Sequence, residues 1–126
     1  MTQSQRSFQE ISTLIHNYLE ERDWGNNTQR GLAISISLEA SELLEHYQWR
    51  DDPVGTRDEV AEELADIFLY SFQLAQNLDI DIAEEIIKKL EKVKKKYPAE
   101  KFKGVDREEA RKNWLDAKLK HKKSGL

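Results

Sequence analysis

The sequence predicts an all-α protein, a four-helix-bundle-like domain followed by a short C-terminal helix, and three observations carry that prediction. Apolar residues recur at three- and four-residue spacings along most of the 126-residue chain. Both prolines, Pro53 and Pro98, fall between the apolar-periodic stretches and not inside them. No strand pattern competes over a comparable length, and no hairpin dipeptide separates two apolar runs.

The first helix carries Phe8, Ile11, Leu14, Ile15, Tyr18 and Leu19 on one stripe and ends at the turn formers Asp23-Trp24-Gly25-Asn26-Asn27. The second runs from about Thr28 to Tyr47 and is apolar around most of its circumference, which predicts a place in the middle of the bundle. After the loop Arg50 to Gly55, Thr56 and Glu59 form a capping box that opens a third helix reaching about Asn77. Asp81 with Glu84 repeats the device for a fourth helix, to about Lys95. Asp106 with Glu109 repeats it again for a short last helix holding Ala110, Trp114 and Leu119. The short loops joining helices two, three and four predict antiparallel neighbours. The division expected is a domain over residues 1–105, then a helix and basic tail over 106–126.

With 38% hydrophobic and 35% charged residues the core is expected to be thin, and oligomerisation is the natural way to bury more surface. The chain has no cysteine, which excludes disulfides, thiolate metal sites and thiol nucleophiles. It has no 18-residue apolar run, and MTQSQRSFQE lacks the layout of a secretory signal, so a cytoplasmic protein with no membrane partner is expected. A net charge of −4 argues against coating nucleic acid, and the lysines from Lys118 to Lys123 have no aromatic interleaving. Acidic residues cluster mid-chain, while Lys88 to Lys103 is rich in lysine. That pattern suits a polyanion bound through a cation, though a solvated helix face gives the same one.

Two acidic pairs point to chemistry: Glu39-Ala40-Ser41-Glu42 on helix two and Glu63-Leu64-Ala65-Asp66 on helix three. At about 100° per residue, a step of three keeps both members of a pair on one face. Glu39 falls close to Leu32 on the wheel, between His46 and Leu43, inside the apolar arc; Glu63 lies at the edge of the arc of Leu64, Ile67 and Leu74. Carboxylates facing a core are costly unless a proton or cation neutralises them. A single Glu-x-x-Glu is commonplace on a solvated helix, but two pairs on consecutive helices, each invading an apolar face, suggest a hard divalent cation. Di-iron bundles need a histidine three residues after a glutamate, and His46 follows Glu42 by four. Glu45, Glu59 and Glu62 read as solvated or helix-pairing residues, and periodicity alone does not choose between Glu62 and Glu63.

The run Leu38-Glu39-Ala40-Ser41-Glu42-Leu43-Leu44-Glu45-His46-Tyr47-Gln48-Trp49 resembles the signature helix of MazG-like and dCTP-pyrophosphatase-like enzymes. Glu62-Glu63-Leu64-Ala65-Asp66-Ile67-Phe68-Leu69-Tyr70 resembles their second acidic helix. Glu21-Arg22-Asp23-Trp24 upstream, and Lys89 and Tyr97-Pro98-Ala99-Glu100-Lys101 downstream, extend the likeness over roughly Phe8 to Gly104.

The resemblance implies hydrolysis of a nucleoside triphosphate between the α and β phosphates, giving monophosphate and pyrophosphate, with nucleotide-pool cleansing as the expected role. It implies magnesium, with manganese as an alternative, held by Glu39, Glu42, Glu63 and Asp66. Glu42 and Glu39 are the expected catalytic carboxylates, Glu42 orienting the attacking water. Arg30 and Lys89 match phosphate-facing positions, with Lys92 or Lys96 in support; Trp24, Trp49 and Tyr70 match positions around the base. Trp114 reads as packing. A homodimer, or a dimer of dimers, is implied, with the site walled by two subunits. Phosphoribosyl-ATP pyrophosphohydrolase and dimeric dUTPase activities, and a non-catalytic nucleotide-binding helical module, are the alternatives. Val93 stands where many relatives carry asparagine, and Gln29-Arg30-Gly31 where Pro-Lys-Asn is usual, which leaves the base preference open; His16 and His46 receive no role.

Overall fold

Ser7, Thr28 and Thr56 each hold extended backbone, and each side-chain hydroxyl accepts the N–H three residues on, from Glu10, Gly31 and Glu59. Satisfying an orphan donor in this way starts a helix at each place. In the computed structural model, which describes residues 5–124, the helices are α1 (Phe8–Glu20), α2 (Gln29–Glu45), α3 (Arg57–Asn77), α4 (Ile82–Lys96) and α5 (Arg107–Ser124), with a 3-10 turn at Ala99–Lys101. There is no strand among the described residues, as the sequence predicts. No described helix is long and apolar enough to cross a membrane. The first four residues of the stretch read for a secretory signal, and the last two after the basic tail, lie outside the described residues. The chain divides into two compact units, Met1–Ile82 and Ala83–Leu126.

In the first unit α3 is the central helix, with α1 and α2 both packed on it. Asn27, just before α2, donates to Gln73 Oε1 at 3.5 Å, and Asn77 Nδ2 donates to the Asn27 carbonyl at 2.9 Å. His46, just after α2, lies beside Glu63 near the start of α3. The two helices are therefore antiparallel, as their short loop predicts. Gln76 fastens α1, its Nε2 donating to the Ser12 carbonyl at 2.7 Å and to the Ser12 hydroxyl at 2.9 Å. Ile15, Leu19 and Phe72 form the core, Ile82 packs against them, and Phe8 stacks on Phe72 at 5.5 Å.

The central place expected of α2 belongs to α3. Of the α2 residues only Leu32 is buried, at 2% exposure, while Ile34, Leu38 and Leu44 point outward. A helix that is apolar all round needs cover on every side, and within one chain α2 receives it from α3 along one face.

In the second unit Asp106 caps α5 by accepting the Glu109 N–H at 2.8 Å, and Asn113 Nδ2 donates to the Lys101 carbonyl at 2.7 Å. Tyr97 meets Phe102 edge-on at 5.9 Å. Lys94, Lys95 and Lys96 fall in the last turn of α4, where positive charge suits the helix dipole, so part of the lysine run serves the helix itself. At 18 residues α5 is longer than the short helix expected. No glycine or proline interrupts Arg107–Ser124, and its alanine, leucine and lysine residues favour continuation.

Candidate functional site

The antiparallel register of α2 and α3 sets the two acidic pairs opposite each other. One carboxylate oxygen from each of Glu39, Glu42, Glu63 and Asp66 lies within 4.8 Å of the others. Glu39, Glu63 and Asp66 are half-buried and Glu42 is exposed. The choice left open by periodicity falls to Glu63, since Glu62 is exposed and outside the cluster. Glu59 is occupied at the head of α3, accepting from the Thr56 hydroxyl at 3.2 Å, and Glu45 is exposed.

The crowding of carboxylates raises the proton affinity of Glu39 and Glu63. Glu39 is pushed up to about 7, by a hydrogen bond with Glu42 first, then by burial, then by the charges of Glu42, Asp66 and Glu63. Glu63 is also raised, by burial first and by Glu42 and Asp66 after it, with His46 acting in the opposite sense. Even so, Oε2 of Glu39 and Oε2 of Glu63 are buried without a hydrogen-bond partner. Native proteins rarely leave such atoms orphaned, because each costs its full desolvation. Four carboxylates with unspent lone pairs and no nitrogen or sulfur donor fit a hard divalent cation such as magnesium or manganese.

The cluster adjoins a cleft of about 1160 Å³, lined among others by Tyr18, Trp24, Asn27, Gln73, Asp66 and Tyr70. Asp66 belongs to both, so it marks where the cleft meets the carboxylates. Asp23 turns the chain into the left-handed region, at φ 55°, and the Trp24 N–H donates to the Leu19 carbonyl at 2.9 Å. Those two features deliver the Trp24 ring to the cleft, edge-on to Tyr18 at 6.0 Å. Arg22 lies 4.3 Å over the other aromatic, Tyr18.

Of the residues expected around a base, Trp24 and Tyr70 line this cleft and Trp49 does not; the Trp49 side chain is 86% exposed just beyond α2. Arg30 is exposed on the first turn of α2, next to Gly31, which lines the cleft. Lys89 is exposed on α4, in the second unit. Among the residues that gain a place that sequence reasoning did not give them are Tyr18, Asn27 and Gln73 in the cleft, and His46 beside Glu63. A tyrosine on an apolar stripe reads as packing, and turn asparagines read as turn formers, so their local patterns carry no sign of a cleft.

Residues 34–110 match the model of the family described as MazG-like. The chain is 29% identical over 107 residues to a mouse (Mus musculus) protein, dCTP pyrophosphatase 1, covering 78% of this chain and 63% of that protein. It is 30% identical to the human (Homo sapiens) dCTP pyrophosphatase 1 over 102 residues, covering 74% and 60% respectively. The chain thus spans less than two thirds of the length of these relatives. A crystal structure of a pyrophosphatase from Archaeoglobus fulgidus superposes with a TM-score of 0.62 at 30% identity, over 78% of this chain and 98% of that one.

Proposed function

Because this chain belongs to the MazG-like family, we propose that it is a divalent-cation-dependent nucleotide pyrophosphohydrolase, cleaving a nucleoside triphosphate between the α and β phosphates. The observation that carries the reading is the junction at Asp66, where four clustered carboxylates open onto a cleft with aromatic walls. A triphosphate is a polyanion attached to an aromatic base, and the two halves of this site match the two halves of that ligand. The relatives named for dCTP hydrolysis support the same substrate class.

Glu39, Glu42, Glu63 and Asp66 would hold magnesium, with manganese able to replace it. Bound there, the cation offsets the charge of the phosphates and acidifies a water. Hydrolysis of this kind needs little covalent help and much positioning. Glu42, the exposed member of the cluster, would orient the attacking water, and Glu39, its carboxyl pushed up to about 7, takes up a proton more readily than an ordinary glutamate when the site holds no cation. Trp24, Tyr18 and Tyr70 stack on or border the base. Arg30 faces the phosphates from the start of α2, and Lys89 keeps the phosphate-binding role that the family resemblance gives it.

The apolar residues left uncovered on α2 and α3, Ile34, Leu38 and Phe68 among them, are the surface on which a second copy would pack. In such a homodimer or dimer of dimers Trp49 reaches the base from the neighbouring copy. Residues 1–105 form the working domain in this reading, and the role is the cleansing of nucleotide pools.

A panel of canonical and modified triphosphates incubated with magnesium, with the products separated by chromatography, tests the activity. The expected products are monophosphate and pyrophosphate, and excess chelator abolishes their release. Diphosphate with inorganic phosphate, or full turnover in chelator, sinks the proposal.

The raised carboxyls add a prediction about stability. An unfolded glutamate loses its proton near its ordinary value of 4.5, whereas folded Glu39 keeps it up to about 7. Between those values the folded state binds more protons, so the stability of the metal-free protein falls as pH rises through this window. A cation replaces the protons, so magnesium flattens the decline. Melting temperatures measured across the window, with chelator and with magnesium, check both statements. A metal-free melting temperature that rises with pH there contradicts them.

A further inference from the structure

We infer that His46 is a positioning residue for Glu63, fixing the orientation of that carboxylate within the four-carboxylate cluster. The inference deepens the metal reading above and rests on it.

His46 stands at the C-terminal cap of α2, and the loop to α3 closes back on it twice. The Val54 N–H donates to its carbonyl at 2.9 Å, and the Gly55 N–H donates to its Nδ1 at 3.2 Å. A Cβ at position 55 would meet His46 Cε1 at 2.5 Å, Nδ1 at 2.7 Å and Glu59 Oε2 at 2.8 Å, so any larger residue there would push these side chains aside. The missing side chain lets the backbone reach the ring.

A nitrogen that accepts a hydrogen bond carries no proton, so the Gly55 contact puts the ring proton on Nε2. Nε2 is the atom facing the cluster, 4.0 Å from Glu63 Oε1, in surroundings where the His46 side chain is 13% exposed and that of Glu63 22%. At that separation the contact is a dipole against a charge and not a hydrogen bond. It acts on Oε1, and Oε2 is the buried oxygen of Glu63 that has no partner. The ring thus biases one carboxylate oxygen and leaves the other free for a cation, the arrangement by which outer partners orient metal ligands.

The two nitrogens have separable jobs, and two substitutions separate them. His46→Asn places an amide where Nδ1 was and can still accept from Gly55, but falls short of Glu63. His46→Gln carries its amide out to the position of Nε2 and can still present an N–H to Glu63. Calorimetric titration of the full chain with Mn²⁺ alone reads the difference. The expected result is affinity about tenfold weaker in His46→Asn, in the range for outer-sphere partners, and close to wild type in His46→Gln.

Equal affinities in the two variants, or the reverse order, make His46 an anchor for the loop and overturn the inference while leaving the metal reading intact. Wild-type protein that binds no Mn²⁺ removes the metal reading and this inference with it. Where either variant does not fold, nitrogen–proton correlation spectra of the wild-type imidazole decide. A proton on Nε2 whose resonance moves as Mg²⁺ is added supports positioning, and a proton on Nδ1, or an Nε2 resonance unmoved by Mg²⁺, overturns it.

Discussion

Glu39→Gln, and separately Asp66→Asn, are expected to lower divalent-cation affinity and kcat/KM by about 100-fold or more while leaving the metal-free protein as stable as wild type or more so. Loss of an outer-sphere partner of a metal site costs about 10–100-fold, so loss of a ligand belongs at or beyond the top of that range. Each change keeps the size of the side chain and removes one negative charge from a cluster whose oxygens lie within 4.8 Å of one another. In Glu39 the uncharged form is far more accessible than in an ordinary glutamate, since its carboxyl is pushed up to about 7 by its contact with Glu42, by burial and by the neighbouring charges. The amide therefore imitates the metal-free state and relieves repulsion among the remaining three. Opposite signs for stability and activity distinguish this outcome from ordinary damage to the fold, which lowers both. The measurements are melting temperature in chelator, Mn²⁺ affinity by calorimetry and steady-state turnover. A double variant that keeps its turnover would falsify the assignment of the carboxylates.

Trp24→Ala is expected to raise KM about tenfold or more with a much smaller change in kcat. Stacking an aromatic ring on a base is worth about 1–3 kcal/mol, and each 1.4 kcal/mol is a factor of ten in binding. Trp24 is still 54% exposed, yet the left-handed turn at Asp23, the bond from its N–H to Leu19 and the edge contact with Tyr18 fix it at the cleft. A ring held in place before the ligand arrives loses little freedom on binding. The carboxylates are on α2 and α3, outside the loop that carries Trp24, so under the proposed function the reacting phosphates would be held independently of it. Purine and pyrimidine triphosphates should also be less well discriminated once the wall is removed. Trp49→Ala gives the companion experiment. It raises KM by a similar factor when a second copy brings Trp49 to the cleft, and has no effect when that ring stays in solvent. Light scattering on each variant shows which assembly was assayed. An unchanged KM and base preference in Trp24→Ala places the base elsewhere.

The helices and the pairing of acids within each helix are local properties, and the sequence by itself determined them. Ser7, Thr28, Thr56 and Asp106 cap the helices they precede, and Pro53 and Pro98 stay outside helices. The Thr56 box with Glu59 was legible to the residue; Ser7 and Glu10 form the same box at the head of α1, whereas the Thr28 hydroxyl works without the full motif. Three-residue spacing was enough to place Glu39 with Glu42 and Glu63 with Asp66, because helical rotation depends on nothing outside the helix. Family resemblance then supplied Trp24, Trp49 and Tyr70, but not which of them share a cleft.

Everything that required a second helix was decided by the tertiary structure. The register of α2 against α3 brought the two acidic pairs together, selected Glu63 over Glu62, and turned His46 toward Glu63. The turn after α1 put Trp24 and Tyr18 on the cleft with Asp66, while Trp49, past the end of α2, was left in solvent. Central position passed from α2 to α3 for the same reason. Periodicity reports which residues of a helix share a face, but only packing between helices reports which face meets which, since that depends on side-chain fit between residues far apart in the chain.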